Sequence, residues 1–216
     1  TTDHGIAFPH MKCNLYDTGI RIAFIMKYSG NPSRGKALDA LVSHMDVFPT
    51  LCDILHLNPP EWLQGKSMIP LLEGSTDKIR DEIFSEVTFH AAYQPMRCIR
   101  TERYKYIRYF DDHDKVVPAN IDDGPSKSFL LENGLLNISK EKELLFDLFH
   151  DPTERNNLVG KQEYKVVYGD LTQKLHAWMM ETNDPLLKGK VDKPLNAIVN
   201  TRTCIHPNSQ DPEDYD

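Results

Sequence analysis

The sequence has 216 residues, 40% hydrophobic, 9% aromatic and 26% charged, a globular balance with enough chain to bury a sizeable core, which excludes disorder as the whole answer. It contains no run of about 18 apolar residues that would suit a membrane-spanning helix. Twenty-five basic residues against thirty-two acidic ones give a net charge of -7, which argues against a general nucleic-acid binder, a role that needs a basic footprint.

The chain opens abruptly on Thr1-Thr2-Asp3-His4-Gly5, with no charged or apolar leader, and reads as the middle of a longer polypeptide. Ile20 to Met26 is a short apolar run between Gly19 and Gly30, the pattern of a buried strand in a parallel sheet. Leu38, Leu41, Met45, Phe48, Cys52 and Leu55 recur every three or four residues, which predicts a helix over about 37–57 that Pro49 kinks or divides. Cys52 reads as a small core residue. Strand followed by helix is the grammar of an α/β sheet.

After Pro59-Pro60 the grammar changes. Residues 81–87 form one predicted strand, and 96–110 form two strands joined by a turn near Thr101-Glu102-Arg103, with Tyr104, Tyr106 and Ile107 as β-formers. Residues 111–142 turn polar and read as a long loop or insertion. A further strand follows at 143–148, then a turn at Asp151-Pro152. Tyr164, Tyr168, Leu171, Leu175 and Trp178 mark one face of a last helix ending near Thr182. The proline-rich tail from Asn183 has no apolar period and is expected to wrap the surface or to be partly disordered. The chain thus reads as an α/β piece followed by a small antiparallel sheet with a helix across it.

Cys13, Cys52, Cys98 and Cys204 include no Cys-x-x-Cys pair, which argues against a finger-type zinc site. Asp3, His4 and Lys12 form the first constellation that carries chemistry. A carboxylate at the carboxyl edge of a parallel sheet lies where open α/β folds place ligands, and it suits a hard cation. His4 suits proton exchange and Lys12 an anionic oxygen, while the plain reading is a strand-exit turn followed by a loop lysine. His90, just before Pro95-Met96-Arg97, and Arg97 are second candidates as substrate-binding residues, suited to hydroxyls or carboxylates and to an anionic group. The alternative for Arg97 is an ion pair within the C-terminal sheet. His44 suits a core or capping role, and His113, His150, His176 and His206 gain none.

Thr2-Asp3-His4-Gly5, Lys12 and Leu15-Tyr16-Asp17-Thr18-Gly19-Ile20-Arg21 together resemble the second half of the type I sulfatases, members of the alkaline-phosphatase-like superfamily. Val42-Ser43-His44-Met45-Asp46-Val47-Phe48-Pro49-Thr50-Leu51 and Gly65-Lys66-Ser67-Met68-Ile69-Pro70-Leu71-Leu72-Glu73-Gly74 are similar to later segments of that family. Pro95-Met96-Arg97, Phe146-Asp147-Leu148, Asp151-Pro152 with Glu154, Asn157 and Leu158, and Glu181-Thr182-Asn183-Asp184-Pro185 resemble its C-terminal subdomain, most closely that of heparan N-sulfatases or sulfamidases. These matches are collinear over residues 1 to about 186.

The resemblance implies an α/β fold: residues 1–75 as the end of an alkaline-phosphatase-like sheet, 76–186 as a small C-terminal antiparallel subdomain with a packing helix and an inserted loop at 111–142, and 187–216 as an extended tail. It implies that Asp3 ligates a calcium ion in the complete enzyme and that His4 matches the neighbouring ligand. Calcium prefers oxygen, so a hydrogen bond from His4 to the sulfate or the nucleophile is the alternative. Lys12 matches the basic residue that grips a sulfate oxygen, and it departs from the Arg of some sulfamidases, losing a bidentate contact. The family nucleophile is a formylglycine made in a Cys/Ser-x-Pro/Ala-x-Arg segment, and no Cys or Ser of this sequence begins one.

The implied function is therefore the C-terminal portion of a sulfatase acting on sulfated sugars, with N-sulfoglucosamine of heparan-type glycans as first guess, inactive without the remaining N-terminal portion as its partner. The implied location is secreted, periplasmic or lysosomal, and neither nucleic acid nor a membrane span is a partner. Two alternatives stay open: a phosphatase or phosphodiesterase of the same superfamily, and a non-catalytic carbohydrate-binding module.

Overall fold

The computed structural model describes residues 1–216, which divide into two compact units: Thr1–Ala23, Phe84–Ile99 and Tyr104–Asp216 in one, Phe24–Ile83 and Arg100–Arg103 in the other. Residues 1–23 thus belong with the antiparallel sheet rather than with the rest of the expected 1–75 block. No helix is long and apolar enough to cross a membrane.

The sheet is a four-stranded meander of β1 (Glu82–Phe89), β2 (Tyr93–Thr101), β3 (Tyr104–Tyr109) and β4 (Glu143–Asp147), in that spatial order. β3 and β4 run antiparallel with Tyr106 opposite Leu145. The predicted strands and the turn between β2 and β3 are present, because aromatic and β-branched residues alternate there between two buried faces. Ile99, Tyr106 and Leu145 point to one face, where the helix Lys165–Glu181 lays down Leu171, Leu175 and Met179. Met96, Cys98, Ile107, Leu144 and Phe146 point to the other, covered by Leu15, Tyr16 and Ile20. Each face also holds one buried cation, Arg97 with the first set and Lys105 with the second.

Lys105 is fully buried. It pairs with Asp17 and, at 2.8 Å, with Glu154, which also accepts the Asp17 backbone N–H at 2.6 Å. This cluster fastens the N-terminal segment to the sheet and accounts for one residue of the Asp151–Leu158 motif. The others are structural too. Asp151 accepts the N–H groups of Arg155 and Asn156, both at 2.8 Å, and Asn157 bonds the backbone of Leu145 and Glu143 along the free edge of β4.

Four expectations are corrected. Residues 20–26 form no strand; a parallel strand needs hydrogen-bonded neighbours, and here Ile20 and Arg21 bond back to Tyr16 and Asp17, Ala23 meets Thr2, and Ile25 stays exposed. The helix expected over 37–57 shrinks to a 3₁₀ turn at His44–Asp46 and a helix at Val47–Ile54, with Pro49 inside the first turn, where a missing N–H costs nothing, rather than at a kink. Its buried residues are Pro49, Thr50 and Cys52, whereas Met45, Phe48 and Leu55 are exposed, so Cys52 is a core residue as read but its apolar stripe is not the buried one. Residues 111–142 contain a helix at Pro125–Glu132 flanked by 3₁₀ turns at Pro118–Asn120 and Leu135–Asn137. The tail is not merely a surface wrap: Val199, Asn200 and Cys204 are buried, and Asn200 donates its N–H to Ala91 at 2.8 Å.

In the smaller unit Asp46 is the organising residue. Its carboxylate accepts N–H groups from Ser43 at 2.7 Å and Lys66 at 2.8 Å and the guanidinium of Arg80. The Gly65-Lys66 strap passes so close that a Cβ on Gly65 would sit 1.9 Å from the Met45 carbonyl oxygen, which is why glycine is required there.

Two predictions follow from these buried charges. Arg97 spends its Nε–H and one further N–H on Asp184, at 2.5 and 3.1 Å, and the rest on Val87, Met96 and Thr88. Asp184→Ala leaves that buried guanidinium with only the largely exposed Glu86 carboxylate, 3.2 Å from Nε, and is expected to lower stability by about 3 kcal/mol in urea denaturation, whereas a double replacement by apolar residues is expected to cost less. Burial alone would raise the Asp46 carboxyl, but Arg80 and the Lys66 and Ser43 amides outweigh it and hold it below the usual range. A depressed carboxyl contributes stability that is complete above its unfolded value, about 3.9, and is lost as pH falls towards the lower folded value. Denaturation midpoints measured against pH should show this acid loss, and Asp46→Asn should remove it.

Candidate functional site

Asp3, His4 and Gly5 lie in a bend held along residues 19–23. Thr2 donates its N–H to Ala23 at 3.0 Å and Gly5 to Gly19 at 2.9 Å. The two glycines are there for close approach: a Cβ on Gly5 would fall 1.8 Å from the Thr18 carbonyl oxygen, and one on Gly19 would fall 2.2 Å from that of Met11. Two widely separated sequence features, the Asp-His-Gly turn and the glycine after Tyr16, thus form one backbone contact.

The Asp3 side chain is largely exposed. His4 Nδ1 lies 2.6 Å from the Gly5 carbonyl oxygen, which can only accept, so Nδ1 donates to it. His4 Nε2 sits 3.6 Å from Asp3 Oδ2, an imidazole and a carboxylate facing one another, an arrangement suited to a shared proton or a cation. No third His, Cys, Asp or Glu joins them. One carboxylate and one imidazole fall short of a calcium site, which takes about 6–8 oxygen ligands, so this donor set does not by itself fit the implied metal.

Lys12 follows a tight loop in which Met11 bonds back to Phe8 and Lys12 to Ile6. Its Nζ donates to both carboxylate oxygens of Asp122, at 2.8 and 3.0 Å, and this hydrogen bond holds the ammonium above its ordinary value despite some burial. His90 lies between β1 and β2. Burial lowers its imidazole, and the Lys12 ammonium, close enough to be felt, lowers it further, so His90 is neutral at pH 7. The structure therefore groups Lys12 and His90 with Asp122, and the His4 charge is felt at His90 as well. Arg97 is not brought to this group: it is buried and all its N–H groups are committed to Asp184 and the neighbouring backbone and threonine.

Asp122 is the residue that reading by pattern misses, since it lies 110 positions from its partner within the polar stretch. Ile121-Asp122-Asp123-Gly124-Pro125, acids and glycine before a proline-started helix, is the local signal that marks it as an ordered turn. Its setting is rigid. Asn120 accepts the Ala92 N–H at 2.8 Å and donates to the Ala92 carbonyl at 3.2 Å and to Gln94 at 2.9 Å, which ties this turn to the loop bearing His90. Lys127, buried, spends its ammonium on the carbonyls of Ile121 and Ile205, at 2.8 and 2.6 Å, and on Asp123 at 2.8 Å.

A family model described as N-sulphoglucosamine sulphohydrolase, C-terminal, matches residues 5–128, more than half of the chain and the stretch that holds Lys12, His90 and Asp122. The chain belongs to this family. Among curated relatives it is 29% identical over 200 residues to an ulvan-active sulfatase of Formosa agariphila, with 90% of this chain and 39% of that protein aligned. It is 26% identical to human N-sulphoglucosamine sulphohydrolase, with 86% of this chain and 41% of that protein aligned. A crystal structure of a candidate sulfatase from Bacteroides thetaiotaomicron superposes with a TM-score of 0.63 at 26% identity, covering 85% of this chain and 34% of that one. The chain thus spans about two fifths of the length of the curated relatives it matches. The alkaline-phosphatase-like character expected of the fold agrees with this likeness to a sulfatase structure.

The ion pair predicts its own titration. Removing the Asp122 charge in Asp122→Asn takes away the main cause of the raised Lys12 value, so NMR titration of the Lys12 side chain should show its midpoint moving down towards the ordinary lysine value of about 10.4.

Proposed function

We propose that this chain is the C-terminal part of a sulfatase that releases sulfate from sulfated saccharides, with Lys12 as the group that receives the sulfate. The observation that supports this reading is the Lys12 ammonium, held protonated by Asp122 and flanked by the neutral His90, in a chain of the sulphohydrolase C-terminal family. Sulfate is a tetrahedral anion, and a preorganised ammonium on one of its oxygens stabilises the charge that develops as the S–O or S–N bond breaks. In the structure Asp122 fills that role, so sulfate binding exchanges one oxyanion partner of Lys12 for another while Asp122 stays close enough to keep the ammonium charged. His90, neutral, can donate one ring N–H to a sulfate or sugar oxygen. His4 can exchange a proton with an attacking or departing hydroxyl.

The formylglycine nucleophile of the family is not encoded in these 216 residues, and Asp3 with His4 does not complete a calcium site, so no step is assigned to either. N-sulfoglucosamine is the first substrate to test, because the family model bears that name, with other sulfated glucosamines and sulfated algal polysaccharide beside it. A sulfatase of this kind works outside the cytoplasm, where sulfated polysaccharides are met.

The test is sulfate release, followed by ion chromatography, from the polypeptide that carries this chain. The 216-residue chain alone is expected to release none, and the complete polypeptide to release it from a sulfated glucosamine in preference to hydrolysing phosphate monoesters. Lys12→Ala should lower kcat/KM by about 10²–10³-fold with the fold intact by circular dichroism. Preference for phosphate esters, or an unchanged Lys12→Ala enzyme, would overturn the reading.

A further inference from the structure

Six buried side-chain atoms lack a hydrogen-bond partner, and four of them lie together: both carboxylate oxygens of Asp111, Nε2 of His113 and Nζ of Lys140. The remaining two, on Lys105 and Glu154, face one another as an ion pair. Asp111 has no such close contact. Lys140 approaches one of its oxygens to 3.8 Å and Arg202 the other to 3.4 Å, ion-pair contacts that are not hydrogen bonds. Buried polar atoms are normally satisfied, so a cluster of four unmade hydrogen bonds asks what makes them.

Water would satisfy such atoms, but two features point to a larger occupant. The first is charge: two cations share one buried carboxylate, and Lys140 feels Asp114 only as an exposed charge nearby. Burial lowers both Lys140 and His113, and the Lys140 and Arg202 charges lower His113 further, leaving the imidazole neutral beside the two cations. The second is space. Lys140 also stands on the wall of a cavity of about 240 Å³, several waters in size at ~30 Å³ each. That wall offers the amides of Asn14 and Gln94 and the rings of Tyr16 and Tyr109, while the Asn157 amide there is spent along β4. Lys140 Nζ sits 4.2 Å above the Tyr109 ring, and burial pushes that phenol up, so it remains a proton donor. Amides and aromatic faces receive hydroxylated rings, and two cations that outnumber the one buried carboxylate between them receive an oxyanion.

We infer that Asp111, His113, Lys140 and Arg202, with the cavity that Lys140 lines, form a binding site for a sugar acid: its carboxylate on Lys140 and Arg202, a hydroxyl donating to Asp111. The site uses none of Asp3, His4, Lys12 or His90 and does not rest on the sulfatase reading.

Isothermal titration of the 216-residue chain with D-glucuronate, D-glucose and sodium sulfate tests it. Glucuronate should bind, glucose at least tenfold more weakly, and sulfate at least tenfold more weakly than glucuronate. Lys140→Met and Asp111→Asn should each weaken glucuronate at least tenfold, and Lys140→Arg, which keeps the charge, should recover part of the loss. Should Lys140→Met fail to fold by circular dichroism, His113→Ala gives the same readout. Lys12→Ala should leave glucuronate binding unchanged. Absence of glucuronate binding, equal binding of sulfate, or loss of binding in Lys12→Ala with retention in Lys140→Met would overturn the inference; the first outcome means that water alone fills the cluster.

Discussion

A lysine with no exposed surface in the middle of a sheet face is the constraint on which the larger unit depends. A buried ammonium there needs partners, and Asp17 and Glu154 supply them, which holds two distant pieces of chain on the sheet. Asp17 brings the N-terminal segment, so that Leu15, Tyr16 and Ile20 cover the apolar residues of β2, β3 and β4. Glu154 brings the turn after β4, in a left-handed backbone conformation, φ 53°, that a glutamate seldom adopts. Burial pushes the Glu154 carboxyl up and Lys105 offsets part of that rise, so the cluster is a buried network whose members hold one another in place rather than a surplus of binding energy. Arg97 with Asp184 does the corresponding work on the opposite face, at the end of the last helix.

With the N-terminal segment fixed in this way, the loop that carries Lys12 has a defined place, and the turn at 120–123 meets it. That turn is held from three directions, by Asn120 on the hairpin loop, by Lys12 on Asp122 and by Lys127 beneath it. The consequence is electrostatic. In a chain whose net charge is -7, Lys12 is a local ammonium whose protonation a neighbouring carboxylate secures, set against the overall field.

Much of this was legible in the sequence. The strands around Tyr106 and Leu145 and the helix through Leu171 and Leu175 obey the periods of two and 3.6 that buried faces impose, and those periods are local. Lys12 was legible from its residue type and from the family resemblance, and His90 from its place before Pro95-Met96-Arg97; the structure sets them near one another. The helix over 47–54 shows where periodicity misleads: Phe48 and Leu55 keep a helical spacing, yet Thr50 and Asp46 hydrogen-bond into the unit and turn Pro49 and Cys52 inward. The run at 20–26 shows the same limit, since an apolar stretch becomes a strand only where a neighbouring backbone can pair with it.

By itself, then, the sequence determined the order of the elements, the alternation of the sheet faces and membership of the sulphohydrolase C-terminal family, all properties written within a turn, a strand or a short motif. Only the tertiary structure decided the partners. It joined Lys12 to Asp122 across 110 residues, committed every N–H of Arg97 to structural bonds, and left Asp111 and Lys140 with hydrogen bonds unmade. The physical reason is that a side chain's charge and reach are set by its type, whereas what it faces is set by which distant segments the buried core draws together.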